Sequence, residues 1–263
     1  MKQRMFNLLI GVLAIALLTS CTHAGVGRRL SEAESSRAPA LGTAWGERRD
    51  SSLSYVSFER ENQSRPDISA VIHYDDRAGI EAQGLRVRDA EAEPLELFDG
   101  GIEIGLTDEE SGVFTSPYYK GIERDGELYV IGKKGRRYGV LVKNHSDVRV
   151  EVVLSVDGLD VMNGRSASYS NRGYIIDPGE RVLVEGFRRS EDEVAAFRFS
   201  SVEKSYAEKK HGDSSNVGVV GLAVFRESGS ATDDLYGRPS RGKRSHRGRR
   251  EANPFPGEFA TAP

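Results

Sequence analysis

The sequence predicts an all-β fold: an antiparallel β-sandwich, jelly-roll or immunoglobulin-like, with one short helix and disordered arms on either side. Three observations point there. Residues 95–227 are a succession of short runs rich in Val, Ile, Tyr and Phe, side chains that suit a pleated, half-buried surface. The runs are separated by Asn, Asp, Gly and Pro clusters that favour turns. Apolar and polar positions alternate, most clearly where Val148, Val150 and Val152 oppose Arg149, Glu151 and Val153, which predicts one buried and one wet face.

Taken in order, residues 1–20 read as a secretory signal. Lys2 and Arg4 supply a positive start, residues 6–18 an apolar core, and Leu18, Thr19, Ser20, Cys21 resembles the lipobox of a bacterial lipoprotein. The apolar run is shorter than the roughly 20 residues a bilayer span needs. A cleaved signal with lipid on Cys21 is therefore expected. Cys21 is the only cysteine, so the chain forms no internal disulfide and an apolar core must stabilise it. Residues 21–50 keep no sustained period and read as a flexible tether. Residues 51–94 read as an extended arm or edge strands, with β-like patches at 53–58 and 68–74 around the polar turn 61–66.

In the sandwich, 95–98 and 102–107 flank Asp99, Gly100 and Gly101 as strand, turn and strand. Further strands are expected at 128–131, 138–142, 148–156, 174–176, 181–184, 194–199 and 217–225. Asn144, His145, Ser146 and Asp147 read as a tight hairpin, and Asp177, Pro178, Gly179 and Glu180 as a turn with a preset Pro and a permissive Gly. Residues 132–135 read as a hairpin turn rather than a phosphate loop, lacking the following Ser or Thr. Ser200 with Glu203 suggests a capped helix over 201–211, ended by Gly212. Residues 228–263 carry Arg238, Arg241, Lys243, Arg244, Arg247, Arg249 and Arg250 and read as a basic disordered tail, and removing residues 237–263 should leave the core's stability almost unchanged.

Several segments together, including residues 138–144, 153–159, 167–174, 177–180, 193–199 and 216–219, resemble a family of uncharacterised bacterial envelope proteins. The resemblance spans residues 95–225. It implies a shared fold and no established activity.

Candidate sites were weighed by chemistry. Asp157, Asp160 and Asn163 place oxygen ligands three apart, as for a hard cation such as calcium, but lack the alternating ligands and terminal Glu of a calcium loop, so turn-amide satisfaction is the stronger reading. His73 with Asp75 and Asp76 lacks a second His. Gly-x-Ser-x-Gly does not occur, and no catalytic residues or cofactor are expected. Tyr118, Tyr119 and Tyr169 are candidate binding aromatics, able to stack on a sugar or grip a partner. These features predict a membrane-anchored, non-enzymatic binding or scaffolding module of the cell envelope, with a carbohydrate-binding or carbohydrate-active domain as the alternative. Its expected partners are the membrane through the lipid, an anionic envelope polymer or another envelope protein, and no nucleic acid. Thr22, which is not acidic, favours the outer membrane of a two-membrane cell.

Overall fold

The computed structural model describes residues 38–109, 116–230 and 252–256. The expected all-β sandwich is the observed architecture, with three sheets. The largest runs β10 (Tyr174–Ile176), β8 (Val150–Val156), β14 (Val219–Arg226), β2 (Ile68–Asp75), β6 (Glu127–Ile131) and β5 (Gly121–Arg124), with β9 (Leu159–Asp160) beside β8. A second runs β11 (Arg181–Val184), β7 (Gly139–Asn144), β4 (Ile102–Thr107) and β3 (Leu95–Leu97). The third runs β1 (Leu41–Asp50), β13 (Glu193–Ser201) and β12 (Gly186–Arg188). A bridge between Arg137 and Arg198 joins the two smaller sheets. All strand pairs among the described residues are antiparallel except β2 with β6.

One core is shared by all three sheets. Ile72 and Leu154 of the large sheet, Ile104 and Val142 of the second, and Phe187 and Phe197 of the third belong to the same buried cluster. Burial of such side chains is the main favourable term in folding.

The expected strands from residue 95 onward are present, but two regions before it differ. The last ten residues of the expected tether form β1, which pairs along β13. The 68–74 patch is an inner strand, β2, held between β14 and β6, whereas the 53–58 patch is not a strand and exposes Tyr55 and Val56. A helix that the sequence reading missed, α1 (Arg77–Ala82), follows β2 and is capped by Asp76, whose carboxylate accepts from Gly79 N at 2.7 Å.

The turns follow their sequence signatures only in part. Asp177 to Glu180 closes with Glu180 N donating to Asp177 O at 3.1 Å and Gly179 at φ +73°, a type II geometry that suits glycine. The Asn144–Asp147 segment is not a hairpin, because β7 and β8 lie in different sheets. Buried Asn144 makes that corner: its Nδ2 donates to Val148 O at 2.8 Å and Ile176 O at 3.1 Å, and its Oδ1 accepts from Ser146 N. Residues 132–135 likewise pass from β6 to β7 between sheets. The expected 201–211 helix is split into a 3-10 turn, Val202–Lys204, and α2 (Tyr206–His211). Its cap is Ser205, whose Oγ accepts from Glu208 N at 3.2 Å, so the serine and glutamate three apart are Ser205 and Glu208.

The outer face of the large sheet is covered where β8 meets β14. Val153, Ala223 and Phe225 are buried there with Ala167, and Phe255 covers them. The short segment 252–256 is seated by two polar contacts, Ser155 Oγ donating to Pro254 O at 2.5 Å and Asn253 N donating to Asn216 Oδ1 at 2.7 Å. Gly221 lies beneath it, where a Cβ would stand 2.5 Å from Pro254 Cβ. Residues 252–256 therefore contribute to the fold, contrary to the expectation for that part of the tail. Removing residues 252–263, or Phe255→Ala, should cost roughly 1–3 kcal/mol, below a full core deletion because the segment can lift away. A urea midpoint unchanged by either variant would show that the segment adds no stability.

Candidate functional site

Strand β1 is an edge strand whose outer amides are received by side chains instead of a neighbouring strand. Asp75 Oδ1 accepts from Ala40 N at 3.0 Å and Leu41 N at 3.2 Å, and Asp157 Oδ2 accepts from Thr43 N at 2.8 Å. This satisfies backbone donors that would otherwise be buried unpaired. Asp157 reaches them because it opens the two-residue Asp157–Gly158 turn between β8 and β9 with φ +54°, followed by Gly158 at φ +75°, the pattern of a type I′ hairpin.

Asp157 also ends a buried hydroxyl chain. Tyr74 donates to Asp157 Oδ1. That leaves Thr43 Oγ1, 2.7 Å from Tyr74 and 2.6 Å from Tyr138, to donate to Tyr74 and accept from Tyr138. Gly218 N adds a donor to Asp157 Oδ1 at 2.9 Å. Burial outweighs these donors and pushes the Asp157 carboxyl up to about 6. Burial pushes both tyrosines upward as well.

Asp160 is likewise pushed up to about 6 by burial, against the lowering effect of the Asn163 and Met162 amides. Its Oδ1 accepts from Met162 N at 3.0 Å and Asn163 N at 2.9 Å, while Asn163 Oδ1 accepts from Arg165 N at 2.8 Å. The three candidate cation ligands thus serve turn and strand amides. For Asp157 and Asp160 the folded state holds protons that the unfolded chain releases near pH 4. Their contribution is full below about pH 4 and is lost as pH rises through about 6. Asp160→Asn keeps both amide bonds and removes the buried charge. It should stabilise the domain by about 2 kcal/mol at pH 7.5, with the gain gone by about pH 4, as read from urea midpoints. A gain independent of pH would exclude this cause.

The candidate tyrosines are not a common platform. Tyr118 and Tyr119 are buried; Tyr118 donates to Glu103, and Tyr119 donates to Arg137 O at 2.9 Å and sits edge-on to Phe199. Tyr169 packs on Phe255 at 4.8 Å. Their faces are used in packing. His73 pairs with Glu127 at 3.2 Å and stacks on Tyr129, while Asp75 serves the β1 amides. Among the described residues no cluster of three His, Cys, Asp or Glu side chains could hold a metal. Cys21 and the basic run from Arg238 to Arg250 lie outside the described residues.

The structure brings together a different set. Trp45, on β1 opposite Phe197, is 39% exposed. Its ring stacks on Phe187 at 6.2 Å and tilts against Tyr206 at 4.6 Å. Behind it the rings of Phe187, Phe197 and Tyr138 continue at 5.1 and 5.3 Å into the hydroxyl chain, so the indole rests on a packed base. A groove of about 370 Å³ opens beside it, lined by Trp45, Tyr206, Lys134, Arg198, Lys204 and Lys209 among others.

Each side of this groove has a local origin. The type II turn at Lys133–Arg136 presents Lys134, the 3-10 turn presents Lys204, and the last turn of α2 presents Lys209, where positive charge also suits the helix dipole. Arg198 is committed, with Nη2 donating to both Glu47 oxygens at 2.9 and 2.8 Å and Nη1 donating to Gly135 O. That Arg198 bond holds the Glu47 carboxyl below its usual range. The lysines are exposed. The Glu203 carboxyl is held below its usual range chiefly by the Ser201 hydrogen bond, with a smaller effect from Lys134 and Lys204. Sequence reasoning missed this groove. The one signal was the chain's single tryptophan in an alternating Leu41, Thr43, Trp45 run.

No family model, curated protein or solved structure matches this chain.

Proposed function

We propose that this chain is a bacterial envelope lipoprotein, anchored by lipid on Cys21, whose β-sandwich is a binding module. The observation that carries the anchor is Lys2 and Arg4 before an apolar run that ends in Leu18, Thr19, Ser20 and Cys21. Support for binding rather than scaffolding alone comes from the Trp45–Tyr206 groove, an exposed indole on a half-buried tyrosine with lysines around it. Thr22 beside the lipidated residue favours the outer membrane where the cell has two.

Mass spectrometry of the mature N-terminus tests the anchor. The expected product begins at Cys21 with more than one acyl chain, since a single chain holds a protein only marginally. Cys21→Ser should abolish lipidation and release the domain from the membrane fraction. An intact Met1 or an unmodified Cys21 in the wild type would refute the anchor.

A further inference from the structure

We propose that the Trp45–Tyr206 groove binds an anionic polysaccharide bearing carboxylates along its length, of the polyuronate kind. This deepens the binding-module reading and rests on it. Three features select that ligand class. The exposed Trp45 ring, seated on Phe187 and Tyr206, offers a rigid flat surface for the apolar face of a sugar ring, with little side-chain freedom left to lose on binding. The other lining cations are lysines drawn from three separate elements, Lys134, Lys204 and Lys209, point charges that suit a ligand carrying more than one carboxylate. The guanidinium among the lining residues, Arg198, already gives Nη2 to Glu47 and Nη1 to Gly135 O, which occupies the bidentate group that phosphate recognition favours.

The groove's shape agrees. At about 370 Å³ it lies at the small end of ligand sites, and it opens along the surface rather than enclosing a cavity. Its lining carries no carboxylate; Glu47 is paired with Arg198, and Glu203 interacts with Lys134 and Lys204. With Lys209 added, the groove keeps a net positive charge. Lys210 lies over the Tyr206 ring at 4.9 Å and donates to its hydroxyl, which holds Tyr206 against the indole.

Because Trp45 is the only tryptophan, its fluorescence reports the groove and not the basic run at 238–250. The mature chain is titrated with hexagalacturonate, with dextran and poly-glutamate as comparisons, at low salt. Hexagalacturonate should shift and quench Trp45 emission saturably, dextran should not, and poly-glutamate should act at least about tenfold more weakly. The double variant Lys134→Glu, Lys209→Glu, with its fold checked by circular dichroism, should weaken hexagalacturonate by about tenfold or more, and salt should weaken the wild type. An equal response to poly-glutamate would reduce the site to a charge effect. Hexagalacturonate that co-sediments without changing Trp45 emission, or an unchanged double variant, would overturn the proposal. Failure of this titration with a lipidated Cys21 leaves the anchored reading standing; saturable binding with an unmodified Cys21 supports the groove and removes the anchor.

Discussion

Phe197→Ala is expected to lower the stability of the domain by about 3–5 kcal/mol, the range for deleting a fully buried aromatic ring. Phe197 is fully buried. It stacks on Tyr138 at 5.3 Å and meets Phe187 edge-on at 5.1 Å, so truncation leaves a cavity bounded by rings that are themselves tied to Thr43 and Trp45. Urea unfolding measures the cost. In the folded variant, Trp45 emission should also move to longer wavelength, because Phe187 loses the ring that supports it. A loss under 1 kcal/mol, roughly the size of a surface change, would place Phe197 outside the core.

Arg60→Met should cost about 3–5 kcal/mol through a different cause, an uncompensated buried charge. Arg60 and Glu151 are both buried. The guanidinium donates to Glu151 Oε2 at 2.7 Å and Asn171 O at 2.5 Å, also donates to Tyr169 O, and lies 3.8 Å over the Phe225 ring. One side chain therefore joins the segment before β2, the 168–173 loop and the outer face of the large sheet. Adding Glu151→Gln should recover much of the loss, since Gln can still accept from Gly173 N, as Glu151 Oε1 does at 2.8 Å. A double-mutant cycle by urea unfolding measures that coupling. Additive losses would mean that the two charges do not interact.

Much of the sandwich was legible because its strands carry their own local signal. The 95–107 hairpin has two apolar runs around Asp99, Gly100 and Gly101, and β14 is a continuous apolar segment. The first strand was not legible. Leu41, Thr43 and Trp45 alternate, but Gly42, Gly46, Arg48 and Arg49 interrupt them, and the strand is held by carboxylates 34 and 114 residues away. Such partners leave no local pattern. The inner position of β2 had the same difficulty, since a strand's sequence does not name its neighbours. Glu151 read as a solvent-facing residue by alternation, yet Arg60 and the covering loop bury it.

For the site the division is sharper. The candidate tyrosines lie near turns in the sequence, and packing takes up their faces. The groove draws residues 45, 134, 198, 204, 206 and 209 from strands, turns and a helix that are far apart in the chain, so no spacing rule could gather them.

The sequence by itself determined the all-β class, most strand positions and the turn at Asp177–Glu180, because side-chain period and turn chemistry act over a few residues. Tertiary structure alone decided the order of strands in the sheets, the burial of Asp157 and Glu151, the seating of Phe255 and the assembly of the Trp45 groove. Those depend on pairings and desolvation between distant segments, where the energy of a residue is set by what covers it.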